Sequence, residues 1–457
     1  MIQMPSDSTD AYAYKSHLSY KPSGAAWLGD IPTHWEVIRL KYLAWLELSN
    51  VDKHTVEGQR SVLLCNYVDV YKNGRITSAF DFMRASATDE QIRRLSIRKS
   101  DVLFTKDSET PNDIGIPAIV VEELSGVVCG YHLALARPVA DSILGEFLFR
   151  AIQSSTTKAY YFVESVGMTR YGLGKQSLAA TPIPVPPLDE QRAIAAFLDR
   201  ETGKIDTLIA KKERLIKLLQ EKRRAVISHA VTKGLNPNAP MKDSGVEWLG
   251  RVPAHWQVKR LKYVGIATTG LTYDPSQVTT KDRGILVLRA SNVQDDRIVL
   301  EDNVYVDAEI PHELVTRTGD ILLCSRSGSR ALIGKNARIT PEVAGASFGA
   351  FMTVFRSQYN NYLSYVFNSA IFNFQAGAFQ TSTINQLTLG ALNGFQVPLP
   401  PLKEQTQIVD HLTTHTAAID TLITRCRRSI DLMHEYRTSL ITTAVTGKID
   451  VRKEVAN

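Results

Sequence analysis

The strongest constraint on this chain is an internal repeat. Residues 21–42 recur as residues 242–263, and 14 of the 22 aligned positions are identical. The segment PPLDEQ at 186–191 returns as PPLKEQ at 400–405, again in the second half. Because both stretches occur in the same order in each half, the chain carries a duplicated module, and the two halves must share one architecture.

Between these anchors the halves diverge, and only a skeleton of positions aligns. The pattern L-x-x-R-x-x-D at 95–101 matches the same pattern at 314–320, and residues 132–137 match residues 351–356. The alternating apolar residues in these stretches predict strands. A constant scaffold with variable loops predicts two related sites that recognise different targets.

Each half ends in a stretch that predicts a long helix, which begins after a pair of prolines. Apolar residues recur at the a and d spacing of a heptad, namely Leu198, Ile205, Leu208, Leu215, Leu219 and Val226, then Leu412, Ile419, Leu422, Met433 and Leu440. Because the two seams are duplicates, they predict a coiled coil between the two helices. The alternative is that each helix packs only on its own domain.

The predicted fold class is therefore α+β. We expect two similar mixed α/β domains, joined and spaced by two long antiparallel coiled-coil helices with pseudo-twofold symmetry. The chain has 457 residues, 44% of them apolar and 22% charged, which is ordinary for a globular protein. No run of about 18 apolar residues occurs, so a membrane span is excluded. The N-terminus has no secretory signal pattern, so we expect a cytoplasmic protein.

The charge of the chain permits a polyanionic partner. The net charge is +6, and residues 203–233 alone carry nine Lys/Arg against three Asp/Glu. This basic run has three open interpretations, since it could face DNA, a partner protein or only water.

Motifs for catalysis, cofactors or metals are missing from the sequence. The four cysteines show no CxxC spacing, so neither a zinc site nor a disulfide framework is expected. Residues 328–336 depart from a phosphate-binding loop, with one residue too many between the glycines and Asn336 in place of the metal-binding hydroxyl. His411 and His415 share a helix face but lack the glutamate of HExxH. The sequence predicts no catalytic, cofactor or metal site.

The two anchors resemble the specificity subunits of Type I restriction-modification systems. The resemblance is carried by WLGDIPTHWEVIRLKYL at 27–43, WLGRVPAHWQVKRLKYV at 248–264, and the PPLDEQ and PPLKEQ segments with the helices that follow. It extends from about Lys21 to Lys448. It implies a non-catalytic chain with two target recognition domains, each reading one half of a split sequence in double-stranded DNA.

The resemblance also implies partners. The coiled coil would set the gap between the half-sites and dock two methyltransferase subunits, and motor-nuclease restriction subunits would join the assembly. S-adenosylmethionine, ATP and Mg²⁺ would be bound by those partner chains, and this chain would bind no cofactor. The expected organisation is an N-terminal tail at 1–19, recognition domain 1 at 20–185, the central helix and linker at 186–237, recognition domain 2 at 238–399, the distal helix at 400–449 and a C-terminal tail at 450–457.

Candidate DNA contacts are cationic, hydroxyl or amide side chains in the divergent loops. Phosphate contacts need cations or small donors, whereas base readout needs forked or amide groups. The candidates are Lys106, Arg170, Tyr171 and Lys175 in the first half, and Arg326, Ser327, Arg330, Lys335, Thr383 and Asn385 in the second. The tryptophans of the repeated anchor are interpreted as packing residues instead.

Two other functions remain open at this stage. A two-domain DNA nuclease or recombinase would need clustered carboxylates with a lysine, and none is apparent in the sequence. A coiled-coil adaptor would bind no DNA, and a gel shift at moderate salt would distinguish it from a DNA-binding chain, whose affinity should fall with rising salt.

Overall fold

The computed structural model describes residues 14–329, 332–378 and 386–454. Its contacts divide the chain into two compact units: unit 1 contains residues 1–212 and 428–457, and unit 2 contains residues 213–427. Each unit takes the first part of one long helix and the last part of the other. Among the described residues, no helix has both the length and the apolar composition that a membrane span requires.

Unit 1 is a mixed α/β unit. Its strands are β1 Tyr20–Pro22, β2 Asp30–Pro32, β3 Glu36–Arg39, β4 Ala44–Leu48, β5 Arg60–Cys65, β6 Arg75–Ile76, β7 Met83–Ala87, β8 Val102–Thr105, β9 Asp107–Ser108, β10 Pro117–Val120, β11 Val127–Cys129, β12 Leu133–Pro138, β13 Tyr171–Gly172 and β14 Pro182–Val185. Its helices are α1 Leu40–Leu43, α2 Tyr67–Lys72, α3 Asp89–Leu95, α4 Gly145–Gln153, α5 Ser155–Glu164, α6 Lys175–Ala180 and the first part of α7 Leu188–Lys233.

The central sheet of unit 1 has the strand order β4-β12-β8-β10-β6, and a second sheet has the order β11-β5-β7. Successive side chains of a strand point to opposite faces. Val102 and Phe104 of β8 accordingly enter one apolar core, and Leu103 enters another. Because both faces of β8 are covered, the strand is a continuous apolar run.

Unit 2 repeats this plan. Its strands are β15 Met241–Asp243, β16 Arg251–Pro253, β17 Gln257–Arg260, β18 Ile266–Thr269, β19 Val278–Thr279, β20 Ile285–Leu288, β21 Val293–Gln294, β22 Arg297–Ile298, β23 Val304–Val306, β24 Ile321–Cys324, β25 Asn336–Arg338, β26 Ser347–Phe348, β27 Met352–Arg356 and β28 Gln396–Leu399. Its helices are the end of α7, α8 Asn360–Phe367, α9 Ala370–Ala378, α10 Leu389–Gly394 and the first part of α11 Leu402–Val445.

The central sheet of unit 2 has the order β18-β27-β24-β25, and a second sheet has the order β19-β23-β20-β26. Ile321 and Leu323 of β24 enter one core, while Leu322 enters the other. The strands β18, β27, β24 and β25 thus match β4, β12, β8 and β10 of unit 1. The prediction of two similar mixed α/β domains is confirmed.

A buried ion pair explains why the L-x-x-R-x-x-D pattern is shared by both halves. In unit 1, the Arg137 guanidinium donates two hydrogen bonds to Asp101, at 2.9 and 2.8 Å. In unit 2, Arg356 does the same to Asp320, at 2.9 and 2.6 Å. Both carboxylates also accept the backbone N–H of the arginine in their own motif, so each aspartate closes the turn before its central strand.

The long helices pack against each other within each unit. In unit 1, Phe197 and Ile205 of α7 share a core with Leu440 and Ala444 of α11. In unit 2, the end of α7 shares a core with the start of α11 through Ile227, Val231, Ile408 and Leu412. The early residues of one helix therefore meet the late residues of the other, as an antiparallel pair requires. This excludes the alternative in which each helix packs only on its own domain.

The predicted heptad seam is wrong at three leucines. Leu208, Leu215 and Leu422 are each close to half exposed, whereas the next residue along the chain is buried or half-buried in every case. The most covered positions follow spacings of four and three residues, which in α7 are Leu198, Thr202, Ile205, Ile209, Lys212, Ile216, Leu219 and Arg223. The same spacing in α11 gives Leu412, Thr416, Ile419, Ile423 and Cys426.

Two repeat-related ion pairs join the helices. In unit 1, Arg437 Nε donates to Asp206 Oδ1 at 2.9 Å. In unit 2, Arg223 Nε lies 3.0 Å from Asp420 Oδ1. Asp206 and Asp420 occupy equivalent positions of the repeat, as do Arg223 and Arg437. Each unit therefore holds the same ion pair between the helices, with the aspartate on α7 and the arginine on α11 in unit 1 and the reverse in unit 2.

Candidate DNA interface

Three chain segments meet where the central strand β8 of unit 1 ends. The backbone N–H of Lys106 donates to the carbonyl of His132 at 3.0 Å, and the N–H of Leu173 donates to the carbonyl of Lys106 at 2.8 Å. Strand β9, directly after Lys106, pairs with β13, which begins at Tyr171. The structure therefore brings together Lys106 and the Arg170–Tyr171 pair, which are far apart in the sequence.

Lys106 is held by neighbours in this cluster. Its Nζ lies 2.9 Å from Asp107 Oδ2 and 4.8 Å from the centre of the Tyr131 ring, and only 13% of its side chain is exposed. His132 Nδ1 lies 2.8 Å from the same carboxylate oxygen. Burial tends to raise the pKa of Asp107, but hydrogen bonds from His132 and Lys106 outweigh it, and the pKa is lowered. Lys106 thus contributes a charge that is already partly neutralised.

Arg170 and Lys175 are the accessible cations of this region. Arg170 is exposed and forms no ion pair with a described residue. Burial raises the pKa of Tyr67, and the charge of Arg170 opposes this rise. Lys175 begins α6 and is 55% exposed, with its Nζ 3.6 Å from Glu47 Oε2. The tyrosine rings of Tyr67 and Tyr71 stack at 5.4 Å beside this surface.

Unit 2 builds the same backbone frame at the end of β24. The N–H of Ser325 donates to the carbonyl of Phe351 at 2.9 Å, and the N–H of Leu387 donates to the carbonyl of Ser325 at 2.7 Å. Arg326 forms a bridge with Gln386, as β9 does with β13. Ser325, Phe351 and Leu387 are the repeat equivalents of the three residues that make these hydrogen bonds in unit 1.

The side chains on this second frame differ from those on the first. Arg326 is exposed, forms no ion pair with a described residue, and holds its guanidinium carbon 5.3 Å from the centre of the Phe351 ring. Phe351 is itself 57% exposed. Both line a groove of about 970 Å³ with Tyr273 and Arg289. Arg289 is paired with Asp302 at 2.7 Å, so Arg326 is the unpaired cation among the described residues that line the groove.

The remaining predicted residues of unit 2 fall in three places. Ser327 lines the groove beside Arg326. Lys335 lies apart, in a cleft with Arg223 and Asp296 next to α7. Arg330, Thr383 and Asn385 lie outside the described residues.

Several aromatic residues of the two frames were missed by the sequence interpretation. They are Tyr67, Tyr131 and His132 in unit 1, and Tyr273 and Phe351 in unit 2. The alignment of residues 132–137 with 351–356 could have indicated two of them, because it places His132 and Phe351 at the same position directly before a strand.

A second surface is retained, side chain for side chain, in both units. Lys41 Nζ lies 4.7 Å from the centre of the Tyr42 ring, and Lys262 Nζ lies 4.8 Å from the centre of the Tyr263 ring. Both tyrosines are about two-thirds exposed, in contrast to Trp35 of the same anchor, which is fully buried. An exposed aromatic–cation pair that survives duplication is not explained by packing.

Comparison with known proteins gives a consistent result. The Type I restriction modification DNA specificity domain matches residues 68–218 and 253–430. The specificity subunit of the type I restriction enzyme MjaVIII of Methanocaldococcus jannaschii is 23% identical over 441 residues, which cover 92% of this chain and 94% of that protein. The EcoKI specificity subunit of Escherichia coli K12 is 23% identical over 383 residues, covering 79% of this chain and 77% of that protein.

A solved chain from a type I R-M system has the same fold, with a TM-score of 0.69 at 18% identity, over 92% of this chain and 99% of that chain. The two regions that match the family lie in the two halves of the duplication and together span well over half of the sequence. The chain therefore belongs to the type I restriction-modification DNA specificity family and is a specificity subunit.

Proposed function

We propose that each unit reads one half of a bipartite DNA target. One observation carries this proposal: the two units share a backbone hydrogen-bond frame at the end of the central strand, yet they place different side chains on it. A scaffold built only for stability has no need to vary its exposed residues at one point and retain them elsewhere. Two domains that read different half-sites need different exposed side chains at the reading position and the same scaffold elsewhere.

The chemistry of each frame suits base recognition. In unit 1, Arg170 and Tyr171 lie in the same region as the stacked rings of the half-buried Tyr67 and the exposed Tyr71. In unit 2, the guanidinium of Arg326 is free to make a bidentate contact with guanine O6 and N7. Thr383 and Asn385 stay in the proposal as readers, since an amide can recognise adenine. Lys106 supports its frame through Asp107 instead of contacting a base.

Contacts to the DNA backbone should be the same in both units, because phosphates carry no sequence. The retained pairs Lys41–Tyr42 and Lys262–Tyr263 meet this condition. We propose that each lysine contacts a phosphate of its own half-site. Lys175 is a further candidate in unit 1, and Lys335 in unit 2.

We propose that α7 and α11 act as the spacer that sets the gap between the half-sites. Helix α7 has 46 residues, which corresponds to a length of about 69 Å. The repeat-related ion pairs of Asp206 with Arg437 and of Arg223 with Asp420 fix one register for the pair. A fixed register gives a fixed length, which is what a spacer requires.

The same helix pair offers two apolar patches that are suited to methyltransferase subunits. In an antiparallel pair, equivalent flanking positions of the two helices lie on one side. Leu208 and Tyr436 each precede a seam residue in unit 1, as Leu215 and Leu422 do in unit 2. All four are close to half exposed. Leu208 and Leu422 are equivalents in the repeat, so at this position an apolar side chain stays exposed in both copies, as expected of a docking surface.

We propose that one methyltransferase subunit docks on each patch and that restriction subunits join this assembly. Methylation with S-adenosylmethionine, and cleavage with ATP and Mg²⁺, would then take place on those partner chains, and this chain would need no cofactor of its own. Because the target is chromosomal and invading DNA, we expect the complex to work in the cytoplasm.

The test is methylation mapping in a host that expresses this chain with its methyltransferase partner. The Arg170→Ala variant should relax one half-site, and the Arg326→Ala variant should relax the other. Arg192→Ala, which removes an exposed arginine at the start of α7, is the matched control and should leave both half-sites intact. A variant that changes both half-sites together, or two variants that change neither, would contradict the proposal.

The two alternative functions make different predictions. If the purified chain cut DNA in the presence of a divalent metal and without a partner, the nuclease hypothesis would replace the one proposed here. If the purified chain did not shift DNA in a gel at moderate salt, the adaptor hypothesis would be favoured. A DNA-binding chain should instead bind with an affinity that falls with rising salt, because it neutralises phosphates.

A further inference from the structure

Two histidines and a glutamate converge in unit 1, away from the proposed DNA interface. His17 lies before β1, His34 lies in the turn between β2 and β3, and Glu190 lies in the first turn of α7. One ligand atom from each residue lies within 4.8 Å of the other two. His17 Nε2 is 3.6 Å from Glu190 Oε1, and His34 Nε2 is 2.8 Å from Glu190 Oε2.

His17 packs against the rings of Tyr20 and Trp35, but its ring nitrogens are buried without a hydrogen bond to a described residue. It is 6% exposed, and neither of its ring nitrogens has a hydrogen-bond partner among the described residues. A buried polar group without a partner costs stability, so such a group calls for a ligand.

The second copy of the module supplies an internal comparison. His255 and Glu404 repeat the His34–Glu190 pair, with Nε2 and Oε2 2.6 Å apart. The position equivalent to His17, however, is Asn238. Glu404 accepts a hydrogen bond from the indole N–H of Trp256 at 3.0 Å. In unit 1 the matching indole N–H, on Trp35, has no such partner among the described residues.

Glu190 therefore differs from Glu404 in what it contacts. Its carboxylate lies between the two imidazoles and leaves the indole of Trp35 without a hydrogen bond. The His–Glu pair belongs to the shared scaffold, whereas the third ligand exists only in unit 1.

We propose that His17, His34 and Glu190 bind one Zn²⁺ ion, with water as the fourth ligand. Two imidazole nitrogens and a carboxylate oxygen form a ligand set that Zn²⁺ accepts. Two atoms that each lie about 2.1 Å from a tetrahedral zinc ion are about 3.4 Å apart. The observed separations of 3.6 and 2.8 Å run to the two different carboxylate oxygens of Glu190. Binding through one of these oxygens would therefore require side-chain rotations that bring the three ligand atoms, now within 4.8 Å of one another, to about this spacing.

The site would have a structural role. The residues beside His17 already contact the segment that follows α11: Asp450 N donates to Lys15 O at 2.6 Å, and the Tyr20 hydroxyl donates to Gly447 O at 3.0 Å. An ion on His17 and Glu190 would fasten the same segment to the start of α7. His34 is 42% exposed, which leaves a route for the ion and its water. This inference does not depend on the DNA-reading proposal.

The experiment measures zinc bound by the purified full chain after incubation with Zn²⁺ and gel filtration. The wild type should keep one equivalent by metal analysis, and zinc should raise its thermal unfolding midpoint. His17→Asn, which copies the second unit, and His34→Ala, at the exposed ligand, should each lose both effects. The matched control His255→Ala should keep them. DNA binding by the variants reports that they are folded.

Two results would overturn the proposal. One is a wild-type chain that keeps no zinc. The other is zinc that stays bound in His17→Asn and His34→Ala, because the ion would then lie elsewhere, for example at His411 and His415.

Discussion

The exposed leucines of the helix pair allow a prediction that separates docking from folding. Leu208 is 46% exposed, and its neighbour Ile209 is 7% exposed. Leu422 and Ile423 repeat this contrast in α11. Full burial of a leucine is worth about 1.5–3 kcal/mol, so covering the exposed half of one contributes about 1 kcal/mol. Replacing both Leu208 and Leu422 by alanine removes one leucine from each patch and should therefore weaken methyltransferase binding at each patch by about 1 kcal/mol, or roughly 5-fold.

The free energy of unfolding should depend on the buried Ile209 more than on the exposed leucines. Ile209→Ala removes a seam side chain and should lower the free energy of unfolding by about 2–5 kcal/mol. The Leu208→Ala/Leu422→Ala chain should lose much less. Calorimetric titration with the methyltransferase subunit measures the first effect, and urea unfolding of the free chain measures the second. Unchanged affinity in the double leucine variant, or destabilisation equal to that of Ile209→Ala, would refute the proposed division between seam and docking patch.

Three further predictions concern single interactions. Asp101→Ala leaves the partly buried Arg137 unpaired and should lower the free energy of unfolding by about 3–5 kcal/mol in urea, whereas Asp189→Ala, at an exposed pair, should cost at most about 1 kcal/mol. Burial opposes ionisation of Asp199, but hydrogen bonds from Arg150 and Arg75 outweigh it and lower the pKa of its carboxyl. The ionised carboxylate therefore stabilises the fold at pH values above its unfolded pKa of about 4, and this stabilisation is lost as the pH falls through the folded pKa. Asp199→Asn should make the thermal unfolding midpoint less sensitive to acid, and an unaltered acid profile would argue against this ion pair. Lys41→Ala with Lys262→Ala should reduce the slope of log affinity against log salt by about 1.8 without altering the preferred sequence, and an unchanged slope would remove these lysines from the DNA contact.

The sequence predicted the duplication, the strands and the long helices because these depend on local patterns. Strands β8 and β24 were predictable from apolar residues that alternate between two covered faces. The seam was not. Leu208 and Ile209 are adjacent, and both satisfy a spacing of three or four residues. Only the partner helix decides which of them is buried.

The candidate DNA interface was predictable only where its contacts join residues that are neighbours in the sequence. Asp107 is next to Lys106 in the sequence, so a weakened cation could be anticipated there. His132, which holds the same carboxylate, is 25 residues away, and its contact depends on the register of β12 against β8. Lys335 follows the Arg326 loop in the sequence, yet the turn before β25 carries it into another cleft. His17 gives no signal in the sequence, since its burial depends on Trp35 and Glu190.

The central claim is that two readers are held apart by a rod of fixed length. It is tested most directly by inserting one heptad into α7 after Leu215 and one at the equivalent position of α11. Seven residues preserve the seam and lengthen the rod by about 10 Å, or about three base pairs at 3.4 Å each. Methylation mapping should then show the same two half-sites with a gap about three base pairs longer. An unchanged gap, or a change in either half-site, would contradict the account.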